Sequence, residues 1–199
     1  MIRSIVSVAL FSCVAAAVDA AAQISPADAL NARYEQVRAI VAQEKGRLSE
    51  HQIDDKLKQI IAPMFDFEEL SRRSLGAYWK KGTPSQQKEF VERFSDLLAR
   101  TYMRRITRGV ELIEVRSVKE KIDGDKATVV AVVMADGTPV STEARLLRKP
   151  DGWKIYDVAV EGIGLVNNYR NEFPGIVRKE GFQGLIERLK NKQKLRAAS

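Results

Sequence analysis

The period of hydrophobic and polar positions changes twice along this chain. From Ser25 to about Lys45 the apolar residues Leu30, Tyr34, Val37 and Val41 recur at helical spacing, behind a Ser25 cap with Pro26 in the first turn. A second helical segment begins near Ser49, carries Ile53, Leu57, Ile60 and Ile61, and is stopped by Pro63. Asp66 and Glu69 have capping-box spacing for a third helix, which ends around Gly76. Thr83-Pro84-Ser85-Gln86 joins a Thr cap, a proline at the first helical position and a glutamine three residues on, and so predicts a long helix. Its stripe of Phe90, Phe94, Leu97, Leu98, Thr101, Tyr102 and Ile106 runs to a stop at Gly109.

Beyond Gly109 the period becomes that of strands. Asp123-Gly124, Asp136-Gly137 and Pro150-Asp151-Gly152 divide the region into Val110 to Ile122, Lys126 to Met134, Val140 to Arg148 and Trp153 to Val160. These predict an antiparallel four-stranded meander. Helical spacing returns from Ile163 to Phe173 and, after Pro174-Gly175, continues to about Lys192. Helices, then a meander, then helices predict an α+β domain, with helices packed on one face of a curved sheet.

The first 22 residues stand outside this domain. Arg3, an apolar run from Ile5 to Val18 and Ala20-Ala21-Ala22 have the three-part shape of a cleavable secretory signal, so the expected mature chain starts near Gln23. Leu10-Phe11-Ser12-Cys13 loosely resembles a lipoprotein box. Phe11 is bulky for such a box, however, and the apolar run continues past Cys13. Asp19 interrupts that run, which is shorter than the roughly 20 apolar residues a membrane-spanning helix needs. The single cysteine leaves with the signal, so stability rests on the core rather than on disulfides. The formal charge of +7 survives cleavage because Arg3 and Asp19 cancel. A basic exported protein meets anionic lipid headgroups more often than nucleic acid. Lys190, Lys192, Lys194 and Arg196 form a basic tail, read as a frayed solvated end with membrane attraction as the alternative.

Catalytic sets are scarce. The one histidine, His51, lies among Glu50, Gln52 and Asp54 and reads as solvated, so neither a histidine-based triad nor an HExxH site can be assembled. There is no phosphate-binding glycine loop. Asp157 and Glu161 are the best carboxylate pair, but four strand residues hold them roughly 13 Å apart, beyond glycosidase separations. Anchoring a loop, or pairing with a base such as Arg170, is the expected role. Tyr78-Trp79-Lys80-Lys81 is the nearest approach to a nucleic-acid surface, and the two aromatics fit better as a lid on the apolar core.

Several blocks resemble one family. Gly152-Trp153-Lys154, Tyr156-Asp157-Val158, Glu161-Gly162 and Asn168-Tyr169-Arg170 look like the MlaC, or toluene-tolerance, family of periplasmic lipid-binding proteins. So do the stretch from Phe65 to Tyr102, with Thr83-Pro84, Gln87, Phe90 and Phe94, and Gly124 to Val129. Lys179-Glu180-Gly181-Phe182 with Leu185-Ile186 and Leu189-Lys190 resembles the family's last helix.

The resemblance implies a periplasmic carrier without catalytic residues, with bound phospholipid as cargo and no cofactor. It would pass lipid between an outer-membrane lipoprotein complex and an inner-membrane ABC transporter with a substrate-binding MCE-type component, maintaining outer-membrane lipid asymmetry. A hopanoid-associated branch of the family is the alternative, as is an exported enzyme using an NTF2-like cavity for a small apolar substrate. Enclosure follows from the cargo: leaving ten methylenes in water costs on the order of 8 kcal/mol. Two tails need the upper end of the roughly 300 to 1,000 Å³ pocket range, or more. The expected walls of this NTF2-like cavity are Phe94, Leu97, Leu98 and Tyr102 on the long helix, Val130 and Val132 on the second strand, and Tyr156, Val158 and Val160 on the fourth. Phe67, Leu70, Ile163 and Val166 are expected to close its ends. Solid core is the competing reading for each.

Overall fold

A computed structural model describes residues 24–110, 113–135 and 137–197, apart from the side chains of 103–105 and 193–197. The expected signal with Cys13 and Asp136 of the second turn lie outside what is described, as do the side chains of Lys194 and Arg196 in the tail.

Local capping chemistry sets the helix starts. In α1 (Pro26–Glu44) the Ser25 hydroxyl accepts the Asp28 N–H at 3.1 Å, and Glu120 from the sheet accepts the Ala27 N–H at 3.0 Å. Reciprocal capping boxes start α2 (Glu50–Ile61) at Ser49 and Gln52 and α4 (Pro84–Gly109) at Thr83 and Gln86. For α3 (Phe67–Leu75) only half of the expected box forms. Asp66 accepts the Glu69 N–H, but the Glu69 carboxylate turns to Arg72 and Arg73, each at 2.7 Å. Between α3 and α4, a 3₁₀ segment over Gly76–Lys81 is held by Gln87, whose amide donates to the carbonyls of Trp79 and Gly82.

The sheet has five antiparallel strands in sequential order rather than four: β1 (Glu114–Asp123), β2 (Lys126–Ala135), β3 (Thr138–Lys149), β4 (Gly152–Val160) and β5 (Ile163–Gly164). Ile163 was expected to open the last helix. Instead Glu161 and Gly162, at φ 50° and 77°, make a tight turn that folds Ile163–Gly164 back on β4. β1 begins after Val110, which caps α4 and is buried against α1 and α2.

The last helix, α5 (Leu165–Ala197), runs through Pro174 and breaks at Gly181 instead, where φ 75° and ψ 175° are open only to glycine. The break seats Phe182 over Gly82, where any Cβ would come within 2.6 Å of its ring. The tail is helical to Ala197, with Lys190 bridging Glu89 and Glu187 and Lys192 on Glu172.

The main core joins α3, α4 and α5 around Phe90, Phe94, Tyr169, Phe173 and Phe182. Ring centroids of contacting pairs lie 4.7 to 5.9 Å apart, the range of favourable aromatic contacts. Trp79 and Tyr78 pack on this core as expected. Two smaller clusters, one of α1, α2 and Val110 and one on the sheet around Val129 and Ile155, lie apart from it.

Candidate functional site

The space between α1 and the sheet is where the smaller clusters fail to close. A cavity of about 380 Å³ opens there. Its helical side is Leu30, Tyr34 and Val37 of α1, with Ile61 at the end of α2, Met64 just beyond it, and Ile106 and Val110 at the end of α4. Its floor is Val115 and Val118 of β1, Val129, Ala131 and Val133 of β2, Thr142 and Ala144 of β3, and Ile155 and Val158 of β4. Asn31, Arg33, Tyr34 and Thr142 supply the polar groups of the lining, while the Glu143 carboxylate turns to Arg145 on the reverse face. The Tyr34 hydroxyl donates to the Ile113 carbonyl at 2.6 Å, and burial pushes this phenol above its usual pKa, with Arg38 acting against the rise.

Two bulges shape the floor. Register shifts leave Arg116 as the extra residue on β1 and Tyr156 as the extra residue on β4. Val115 and Val118, three residues apart, therefore share one face, and so do Ile155 and Val158. Small side chains sit where larger ones would fill the gap: Ala27 on α1, and Ala131 and Ala144 at mid-sheet.

Of the thirteen expected wall residues, Val158 lines this cavity. Leu70, Phe94, Leu97, Leu98 and Val166 are buried in the aromatic core instead, and Phe67 and Tyr102 pack against it. Val130 and Val132 are one residue out of register with the floor and face its reverse side. Tyr156, the bulge residue, lies under the Arg73 guanidinium at 4.1 Å. Val160 and Ile163 belong to the cross-strand row of Val118, Ala131 and Thr142, but stand at its exposed end, 48% and 72% accessible. The lining residues of α1 carry a signal in the helical spacing of Leu30, Tyr34 and Val37. The lining of the sheet could be read only with the bulges known.

Asp157 faces away from the cavity and is 3% exposed. Its carboxylate accepts Arg145 at 3.0 Å and the Val166 N–H at the start of α5, also at 3.0 Å. Glu161 accepts from the Ser141 N–H. Both acids thus anchor neighbouring segments, and neither pairs with Arg170. His51 is exposed beside Asp55. Among the described residues no group of three or more His, Cys, Asp or Glu side chains could hold a metal, and no helix is long and apolar enough to cross a membrane.

Several known proteins resemble this chain in sequence or fold. The intermembrane phospholipid transport system binding protein MlaC of Haemophilus influenzae is 25% identical over 134 residues, which are 65% of this chain and 63% of that protein. The toluene tolerance protein ttg2D of Pseudomonas putida is 27% identical over 135 residues, 64% of this chain and 60% of its own length. The chain thus spans somewhat less than two-thirds of these relatives. A phospholipid-binding protein from Ralstonia solanacearum, solved in complex with a phospholipid, superposes with a TM-score of 0.70 at 27% identity, over 83% of this chain and 97% of that one. The model of the MlaC protein family matches residues 31–191, and the chain belongs to that family.

Proposed function

We propose that this protein is a periplasmic phospholipid carrier that encloses acyl chain in the cavity between α1 and the sheet. The observation that carries the reading is the cavity's nearly all-carbon lining, in a chain that superposes on a phospholipid-bound structure. Each methylene moved from water into that space gains about 0.8 kcal/mol, and no covalent step is involved. The carrier receives lipid at one membrane and releases it at the other. Its partners are an outer-membrane lipoprotein complex and an inner-membrane ABC transporter with an MCE-type component, whose ATP hydrolysis supplies any net direction. The export-signal pattern before Gln23 supports the periplasmic location.

At about 380 Å³ the cavity sits near the lower end of the usual ligand-pocket range, below the need of two full tails. Loading therefore displaces a wall. Of the nineteen residues of α1 only Pro26, Val37 and Val41 are buried, and no strand ladder ties it to the sheet, so α1 is the wall that yields in this reading. Native mass spectrometry of the purified protein tests the reading. Wild type is expected to carry phospholipid, and Ala131→Phe, which fills the space from the floor, to fold and remain empty. Wild type that is repeatedly lipid-free and takes up none, or a folded Ala131→Phe that loads normally, would sink it.

A further inference from the structure

On the reverse side of β4 lies a second concavity of about 370 Å³ with opposite chemistry. Arg73 of α3, Arg145 of β3 and Arg170 of α5 line it, together with Tyr156, Asp157 and the first turn of α5 at Val166 and Asn167. Asp157 is the one acid in the lining, and both its oxygens are already engaged, by Arg145 and by the Val166 N–H. Arg145 also holds Glu143 at 2.7 Å, while Arg73 shares Glu69 with Arg72 and stacks on Tyr156. Three guanidinium groups thus divide three carboxylates. Arg170 is left over, with no carboxylate in ion-pair distance among the described residues. It is set close to Gly76, where a Cβ would stand 3.5 Å from the guanidinium and φ is +55°.

We propose that this pocket is a second ligand site, one that binds a phosphate group. Guanidinium forks match the paired oxygens of a phosphate, and the N-terminal turn of a helix adds partial positive charge on the same side. The uncompensated Arg170 supplies the charge that the anion neutralises. Because Tyr156 and Asp157 face away from Val158, an occupant here does not fill the apolar cavity. The phosphate comes either from a free phosphate ester or from the headgroup of an anionic phospholipid.

Calorimetric titration of lipid-stripped protein with sodium phosphate and glycerol phosphate probes the first source. Co-sedimentation with phosphatidylglycerol vesicles, against phosphatidylcholine vesicles, probes the second. Wild type is expected to bind in at least one arm, more weakly as salt rises, and the arm that responds identifies the source. Arg170→Glu removes a charge-assisted contact and is expected to weaken that binding about tenfold or more. Arg170→Lys, which keeps the charge without the fork, falls between. Lys119→Glu makes the same charge change on exposed β1 and leaves binding near wild type. Arg170 is exposed, so its variants fold, which circular dichroism checks, and their phospholipid loading stays at the wild-type level. Silence in both arms, wild-type binding by Arg170→Glu, or an equal loss in Lys119→Glu would overturn the proposal, and none of these results bears on the apolar cavity.

Discussion

One helix, α4, serves two regions of opposite construction. Around Phe90, Phe94, Leu97 and Leu98 it is packed solid by rings from α5, whereas farther along, at Ile106 and Val110, it borders a void. Apart from Thr101, whose hydroxyl donates back to the Leu97 carbonyl, the stripe is apolar, so what α4 presents does not account for the difference. Its partners do: Tyr169, Phe173 and Phe182 meet the N-terminal part, while the C-terminal end faces the alanines and valines of a bulged sheet. A continuous apolar face can thus belong to core at one end and to a ligand wall at the other.

A charge placed in each region separates the two most strongly. Leu98→Asp puts a carboxylate among closely packed side chains with no partner, a penalty of several kcal/mol that rivals the whole stability of a small domain. It is expected to unfold the protein. In Val158→Asp the new carboxylate borders a space that water can enter, so the variant is expected to fold and to lose lipid uptake. Circular dichroism and lipid loading, measured together, separate the two outcomes. A folded Val158→Asp that loads normally would remove the floor from the site.

Truncation gives a smaller contrast. Phe94→Ala deletes a fully buried ring that contacts Phe90, Tyr169 and Phe173, and is expected to cost about 3 to 5 kcal/mol in urea denaturation. Val158→Ala enlarges a space that already exists, so it loses little beyond the transfer term, below about 1.5 kcal/mol. Similar costs at the two positions would mean that the cavity is packed in solution.

What the sequence made legible follows the range of the interactions. Caps at Ser25, Ser49 and Thr83 act within three residues, and they stand where the pattern puts them. The Asp123-Gly124 turn and the three long hairpins are local in the same way. Strand faces are not. A single extra residue, Tyr156, reverses the alternation of β4 midway, and nothing in its side chain announces a bulge. The break in α5 was expected at Pro174-Gly175, the stronger local signal, yet it falls at Gly181 because Phe182 must reach Gly82, a contact across about a hundred residues. The cavity was the least legible feature, since it depends on which small residues of the sheet come to lie opposite α1.

The two regions are also joined by an ion pair, which supplies the finest test. Asp96 of α4 accepts Lys58 of α2 at 3.1 Å and Arg100 of its own helix at 3.1 Å, tying the roof above the void to the solid core. Partial burial raises the Asp96 pKa, but hydrogen bonds from Lys58 and Arg100 outweigh it and hold the carboxyl below the ordinary aspartate value. The stabilisation is therefore complete above the unfolded pKa of about 3.9 and disappears as pH falls through the lower folded value. Lys58 is half exposed, so screening keeps the contribution to about 1 kcal/mol or less. Asp96→Asn is expected to lose that amount near neutral pH, and the gap from wild type should close below about pH 4 as the native carboxylate takes up its proton. If α2 is the fixed part of the roof and α1 the part that yields, the same variant leaves lipid uptake unchanged. A faster uptake in Asp96→Asn would instead make α2 the moving wall.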